Sequence, residues 1–107
     1  MNEITPLQIE EGKRELLERA FRKTESQTKH EFYDSIFEFG KKHVETEDYV
    51  PVKRARIRRT QMEISERNLA FLTDIAIRTG LSRSEVERII IDKYLYHVGV
   101  MEECALP

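Results

Sequence analysis

The sequence predicts a mainly α-helical protein, with a helical hairpin in its first half and a strand followed by two helices in its second half. Apolar residues recur at helical spacing through most of the chain, whereas Gln61-Met62-Glu63-Ile64 alternates as a strand does. A strand this short is not stable alone. No second strand is apparent nearby, so we expect its mate to come from another copy of the chain.

Length and composition favour one small domain. The chain has 107 residues, of which 36% are charged and 39% are hydrophobic, so its core is thin and oligomerisation would help it. The single cysteine, Cys104, allows no intrachain disulfide and favours a reducing compartment. No long apolar run and no secretory signal pattern are apparent, so we expect no membrane association and a cytoplasmic location.

Charge is distributed unevenly along the chain. Its net charge is −2, yet residues 53–83 hold 8 basic and 3 acidic side chains. The run from Lys53 to Arg59 places five cations in seven positions, directly before the predicted strand. A basic segment of this kind is typical of contact with nucleic-acid phosphates.

The first half carries two helix-start signals. Thr5-Pro6-Leu7-Gln8 combines an N-cap, a proline at the first helical position and a capping box, and Thr28-Lys29-His30-Glu31 is a second capping box. We expect two antiparallel amphipathic helices or one long kinked helix. The second helical pattern exposes an aromatic stripe that needs another surface, either an oligomer mate or a second protein. Its residues are Phe32, Tyr33, Ile36 and Phe37.

The second half has clear helix boundaries. Ser65 is expected to cap a helix that ends near Thr79, Gly80 to be its left-handed C-cap, and Ser82-Arg83-Ser84-Glu85 to start the last helix. The apolar face of this last helix is unusually wide, as at the centre of a dimer. The predicted dimer core consists of Met62, Ile64, Leu72, Val86, Ile89 and Ile90.

Pro51 marks the predicted boundary between the halves. We divide the chain into a helical oligomerisation or partner-binding module (1–50), a basic arm (51–59), a strand-helix-helix domain (60–99) and a tail (100–107). No internal repeat is visible in the sequence.

The stretch from Arg59 to Leu95 resembles the ribbon-helix-helix DNA-binding domain of the CopG, MetJ and Arc type. The resemblance rests on the basic–Thr–Gln–Met–Glu–Ile–Ser strand and on the turn Gly80-Leu81-Ser82-Arg83-Ser84-Glu85. It implies an intertwined homodimer whose two strands pair antiparallel and enter the major groove of double-stranded DNA. The first 52 residues lie outside the resemblance.

By position, the resemblance implies three base-reading side chains on the strand: Arg59, Gln61 and Glu63. The basic arm and the start of the last helix are expected to contact DNA phosphates. The residues expected to make these contacts are Lys53, Arg54, Arg56, Arg58, Ser82, Arg83 and Ser84. Glu63 departs from the family pattern. It reads cytosine, pairs with Arg59 or Arg67, or marks a ribbon that no longer binds DNA.

The expected function is sequence-specific DNA binding by a transcriptional regulator, in particular a repressor. The alternatives are an antitoxin, a plasmid partition or relaxase accessory protein, and a protein-interaction dimer that has lost DNA binding. No nucleophile has a base partner at recognisable spacing, and no cofactor or metal motif is convincing. We therefore expect neither an enzyme nor a cofactor.

Overall fold

The computed structural model describes residues 1–25 and 28–101. Its elements, in chain order, are β1 (Asn2–Glu10), α1 (Lys13–Lys23), α2 (Lys29–His43), β2 (Ile57–Ser65), α3 (Glu66–Thr79) and α4 (Arg83–His97). A single 3₁₀ turn at Thr46–Asp48 precedes the extended connection between α2 and β2. Cys104 and most of the predicted tail lie outside the described residues.

The N-terminal segment is a strand, which corrects the predicted fold class. Residues Asn2–Glu10 form β1, which pairs antiparallel with β2 of the same chain. The first half is therefore a strand followed by two helices and not a helical hairpin, and the mate of β2 does not come from a second copy. Thr5, Leu7 and Ile9 alternate inward along β1, a period of two that the apparent capping box at Thr5 concealed.

We call the two-stranded antiparallel sheet of β1 and β2 the ribbon. Its register places Pro6 opposite Gln61 at the centre. Pro6 is tolerated because both strands of a two-stranded sheet are edges. Thr5, Leu7 and Ile9 turn inward with Met62 and Ile64. The ribbon continues beyond both ends, since the amide of Glu11 donates to the carbonyl of Arg56 at 2.7 Å and that of Glu66 donates to Met1 at 3.0 Å.

The chain contains a structural repeat that was not visible in its sequence. We call residues 2–43 the first half and residues 57–97 the second half, since each folds as a strand followed by two helices. Positions in α4 correspond to positions in α2 numbered 54 lower, from Lys29 and Arg83 to His43 and His97. The buried residues of α2 and their counterparts in α4 agree at every position: Phe32 with Val86, Ile36 with Ile90, Phe37 with Ile91, and Gly40 with Tyr94.

The remaining elements correspond with a shift of 55, as Asn2 to Ile57 and Glu10 to Ser65 show. The buried Leu17 and Ala20 of α1 match the buried Leu72 and Ile75 of α3. The two halves share most of their inward-facing positions and the side-chain N-caps of α2 and α4, but few identical residues. Patterns of hydrophobicity are enough to specify a fold when volumes are compatible, so the repeat escapes inspection of the sequence.

Both halves contribute to one hydrophobic core. The residues predicted to form a dimer core are buried within this single chain: Met62, Ile64, Leu72, Val86, Ile89 and Ile90. Of the aromatic stripe, Phe32, Ile36 and Phe37 are also fully buried here, and Tyr33 packs against the same core while partly exposed. Both sets of residues therefore pack against other parts of the same chain, and their burial needs no second copy.

Four predicted helix boundaries are confirmed. Thr28 and Glu31 form a complete capping box at the start of α2. The Ser65 and Ser82 side chains accept from the backbone amides of Asn68 and Glu85, and Gly80 ends α3 in the left-handed region with φ 76°. Local capping chemistry is short-range, which is why it could be read from the sequence.

Candidate nucleic-acid interface

The outer face of the ribbon is a continuous solvent-facing surface. The three central outward residues of β1 each face an outward residue of β2, and the pairs are Ile4 with Glu63, Pro6 with Gln61, and Gln8 with Arg59. All but the partly exposed Gln8 are exposed. The predicted base-reading residues Arg59, Gln61 and Glu63 therefore lie side by side on one face.

Ile4, Pro6 and Gln8 were missed because the N-terminal segment was interpreted as a helix. Ile4 is 70% exposed, although an isoleucine more often faces a core. The signal that could have identified these positions is the alternation of Ile4, Pro6 and Gln8 with Thr5, Leu7 and Ile9. The proline within that alternation argued for an edge strand as well as for a helix start.

Glu63 is partnered by an amide and not by an arginine. The Asn2 side-chain amide donates to Glu63 Oε2 at 3.2 Å. Arg67 pairs instead with Glu38 at 3.6 Å, and Arg59 forms no ion pair with any residue in the described part of the chain. The Glu63 carboxylate keeps an outward position with acceptor capacity, which leaves a cytosine amino group among its possible partners.

The start of α4 lies beneath β1. Arg83 Nη2 donates to the Thr5 hydroxyl at 2.8 Å, and Arg83 Nε lies 3.2 Å from Glu87 Oε2. Ser82 is exposed as the N-cap, and Ser84 is partly exposed. The guanidinium of Arg83 is thus already bound to Thr5 and Glu87, whereas the Ser82 and Ser84 side chains remain at the surface.

The start of α2 occupies the equivalent position in the first half. Lys29 follows the N-cap Thr28 just as Arg83 follows Ser82. It forms an ion pair with Glu18, lies 5.1 Å from the centre of the Phe21 ring, and lines a cavity together with Thr60 and Gln61 of β2. Each half therefore places a basic residue at a helix N-terminus beside the opposite strand, where the helix dipole also favours anions.

Arg54 is held inside the protein. Its side chain is only 6% exposed and contacts Asp92 at 2.8 Å, Glu10 at 3.0 Å and Glu85 at 3.3 Å. Burial alone would lower the pKa of Arg54, but the bonds to these carboxylates outweigh burial and raise it. This cluster joins the connection between the halves to the end of β1 and to α4. The Arg54 guanidinium is therefore engaged by carboxylates, including Glu85 in the first turn of α4, and is not at the surface.

The other cations of the basic arm are exposed. Arg58 Nη2 pairs with Glu11 at 2.8 Å, and both side chains are more than half exposed. Among residues 1–25 and 28–101, Lys53 and Arg56 form no ion pair. The backbone of Arg56 extends the ribbon at the end where Gln8 faces Arg59, so free positive charge collects at that end.

Glu87 is a buried carboxylate in α4, with 1% of its surface exposed. Burial raises the pKa of Glu87 to about 7, although Arg83 and Arg88 act in the opposite direction. Glu87 Oε2 lies 3.2 Å from Arg83 Nε, but among the described residues neither carboxylate oxygen has a partner with hydrogen-bond geometry. The equivalent residue of the first half is Tyr33, so this acidic group breaks the similarity between the halves.

Within the described residues, no cluster of three or more histidine, cysteine or acidic side chains is arranged to bind a metal ion. His30 contacts the Thr28 hydroxyl, and Asp34 accepts from the backbone of Ser65 and the side chain of Asn68.

None of the helices in the described part of the chain has the length and apolar character required to cross a bilayer.

The two-stranded ribbon, with a basic helix start beneath each strand, is thus the arrangement from which a function can be argued. Searches with protein-family models, curated proteins and solved structures return no match for this chain.

Proposed function

We propose that the outer face of the ribbon binds in the major groove of double-stranded DNA and that the protein is a transcriptional regulator acting as a repressor. The observation that carries this proposal is the exposed antiparallel ribbon with Arg59, Gln61 and Glu63 on one face. The major groove of B-DNA admits a two-stranded ribbon, and these three side-chain types bind guanine, adenine and cytosine. The cytoplasmic location favoured by the single cysteine is part of the same proposal.

The second support is the pair of equivalent helix starts. Lys29 and Arg83 each follow a Thr or Ser cap and lie beside opposite strands. Phosphates run along both sides of the major groove, and such contacts position a protein without reading the sequence. The resemblance of residues 59–95 to the ribbon-helix-helix family points to the same mode of binding. Here one chain supplies both strands and all four helices.

The test is the salt dependence of binding to a labelled duplex, measured by fluorescence anisotropy. Affinity should fall steeply as salt rises, because each neutralised phosphate releases condensed counterions. Replacing Lys53 and Arg56 by Ala together should reduce the slope of log K against log salt by up to about 2. Both side chains are exposed and form no ion pair in the described part of the chain, so their loss leaves the fold intact.

Lys42→Ala is the matched control for this experiment. It removes one exposed positive charge near the C-terminal end of α2. Because an α-helix rises about 1.5 Å per residue, this position is far from the start of α2 at Lys29. We expect the salt slope of this variant to equal that of the unmodified protein. Absence of salt-dependent duplex binding by the unmodified protein would refute the proposed function.

One observation favours a protein partner as the second candidate. The charges of Arg59 and Glu63 cancel on the outer face, and Ile4 and Pro6 add exposed apolar surface beside them. A ribbon of this composition suits packing against another protein. This is the alternative function in which the chain binds a protein and has lost DNA binding. Binding to such a partner would depend on Ile4 and weakly on salt, whereas binding to DNA depends strongly on salt.

A further inference from the structure

The centre of the ribbon is also the point about which the two halves are related by symmetry. Positions in β2 correspond to positions in β1 numbered 55 lower, and Pro6 pairs with Gln61, its own counterpart. Pairing of equivalent residues across antiparallel strands is what a twofold axis produces. The ribbon therefore has approximate twofold symmetry about the Pro6–Gln61 pair, within one chain.

The side chains on the outer face do not obey this symmetry. Ile4 corresponds to Arg59, Pro6 to Gln61 and Gln8 to Glu63, so each pair of equivalent positions differs in chemistry. A homodimer would present identical residues at both ends of its ribbon, since a symmetric interface repeats every residue. In this chain the backbone is nearly symmetric, whereas the chemistry of its outer face is not.

The two ends of the ribbon consequently differ in charge and hydrogen bonding. At the first end, Gln8 faces Arg59 and the exposed Arg56 lies just beyond. At the second end, Ile4 faces Glu63, the exposed Glu3 lies next to Ile4, and α3 begins with Glu66. We call these the basic end and the acidic end.

Each end suits a different set of bases. Arg binds guanine and Gln binds adenine through two hydrogen bonds each, so Arg59 and Gln8 direct the basic end towards purines. Isoleucine offers an apolar contact to the thymine methyl group, and a carboxylate accepts from the cytosine amino group. Guanine and thymine present only hydrogen-bond acceptors in the major groove, so either of them opposite Glu63 would give the carboxylate no donor from the DNA.

We propose that a single chain binds a non-palindromic duplex site, one half of which is read by Arg59 and Gln8 and the other half by Ile4 and Glu63. This inference rests on the proposed function and specifies its ligand. Most of the affinity comes from the basic end, because the exposed Arg56 and Arg59 lie there. The acidic end acts mainly by rejecting sequences that place guanine or thymine, which lack a major-groove amino donor, at Glu63.

The experiment is selection of bound duplexes from a randomised library by the full chain, with sequencing of the enriched pool. Native mass spectrometry of the protein with the selected duplex gives the number of chains bound. We expect one chain per duplex and a motif whose equivalent positions hold different base pairs: G·C at Arg59 but T·A at its counterpart Ile4, and A·T at Gln8 but C·G at its counterpart Glu63. Arg59→Ala should lower affinity for this motif about tenfold or more, whereas Lys42→Ala should leave it unchanged.

A variant with matched strands tests the origin of the asymmetry. Ile4→Arg combined with Gln8→Glu gives both ends of the ribbon an arginine facing a glutamate. The substituted positions are outward and the core is untouched, and circular dichroism checks that the fold is retained. Selection with this variant should yield an inverted repeat whose half-site has guanine for the arginine and cytosine for the glutamate, and so differs from both halves of the original motif.

The outcomes separate the two proposals. An asymmetric motif that becomes an inverted repeat in the variant supports the inference. An inverted repeat selected by the unmodified chain, or two chains on each minimal site, overturns the inference while leaving DNA binding in place. An unchanged motif in the folded variant also overturns it, since the reading would then not depend on these side chains. Failure to enrich any duplex overturns the proposed function itself.

Discussion

Gly40 of α2 lies directly against Ile90 of α4, and a Cβ atom added at Gly40 would come within 3.0 Å of two side-chain carbon atoms of Ile90. The counterpart of Gly40 in the second half is the buried Tyr94. A glycine on one side of the molecule thus makes room for a bulky residue, whereas a tyrosine fills the equivalent place on the other. The two halves have become complementary to each other and are no longer interchangeable.

The second half should therefore not fold with another copy of itself. In a homodimer of residues 53–107, Tyr94 would occupy the place of Gly40 against Ile90, and Glu87 would be buried twice. Overpacking of a core typically costs about 1–3 kcal/mol per site, and each site would occur twice in the dimer. We expect this fragment to show little helical circular dichroism and no cooperative thermal transition.

The control for the fragment is the full chain at the same molar concentration. Mixing the fragment with a peptide that covers residues 1–50 should restore helical signal, because the missing strand and helices are then supplied. A fragment that forms a folded dimer by itself, as judged by sedimentation, would contradict this expectation.

Gln61→Ala should lower affinity for the selected duplex by about 1–3 kcal/mol and change binding to random duplex little. Gln61 is exposed at the centre of the ribbon and packs in no core, so stability should be unaffected. Titration of both duplexes at one salt concentration provides the comparison. Equal losses on the two duplexes would mean that Gln61 does not read a base.

Arg54→Ala should destabilise the protein and affect DNA binding only through folding. Removing this guanidinium leaves Glu10, Glu85 and Asp92 close together with fewer cations, and loss of one partner of a buried ion pair typically costs about 3–5 kcal/mol. Lys13 and Arg88 remain bound to this cluster, so we expect the lower end of that range.

Urea unfolding measures the stability of this variant, and Arg56→Ala is its matched control. Arg56 comes from the same connecting segment but is exposed, so its loss should change the free energy of unfolding by less than about 0.5 kcal/mol. Equal stability of Arg54→Ala and the unmodified protein, together with a flatter salt slope, would return Arg54 to the phosphate-binding surface.

Glu87 should make stability decrease as pH rises through neutrality. Its pKa is about 7 in the folded protein and near 4.5 when unfolded, so the folded state binds more protons between these values. Stability contributed by the protonated carboxyl is then present below about pH 4.5 and lost as pH rises to about 7. Each unit of pKa difference corresponds to about 1.4 kcal/mol, so the loss is at most a few kcal/mol.

Glu87→Gln should remove this part of the pH dependence, since the amide stays neutral. The difference in unfolding free energy between this variant and the unmodified protein should grow in favour of the variant from pH 5 to pH 8. Glu47→Gln, at an exposed position of the 3₁₀ turn, serves as the control. Parallel pH profiles for the unmodified protein and Glu87→Gln would show that Glu87 does not titrate in this range.

The sequence by itself determined the elements whose signals are local. The caps at Thr28, Ser65 and Ser82 and the C-cap at Gly80 define helix ends, because each acts on backbone groups within a few residues. The alternation around Met62 and Ile64 identified β2 and its outward residues. These assignments needed no information about the rest of the chain.

The tertiary structure alone decided what pairs with β2. Thr5-Pro6-Leu7-Gln8 satisfies the rules for a helix start and those for an edge strand, and no local interaction separates the two. The choice is made by hydrogen bonds between residues 2–10 and 57–65, together with burial of Leu7 and Ile9 in the shared core. The same long-range contacts place Arg54 among carboxylates and align Ile4 with Glu63. Contacts between residues far apart in sequence exist only once the chain has folded, so local patterns could not predict them.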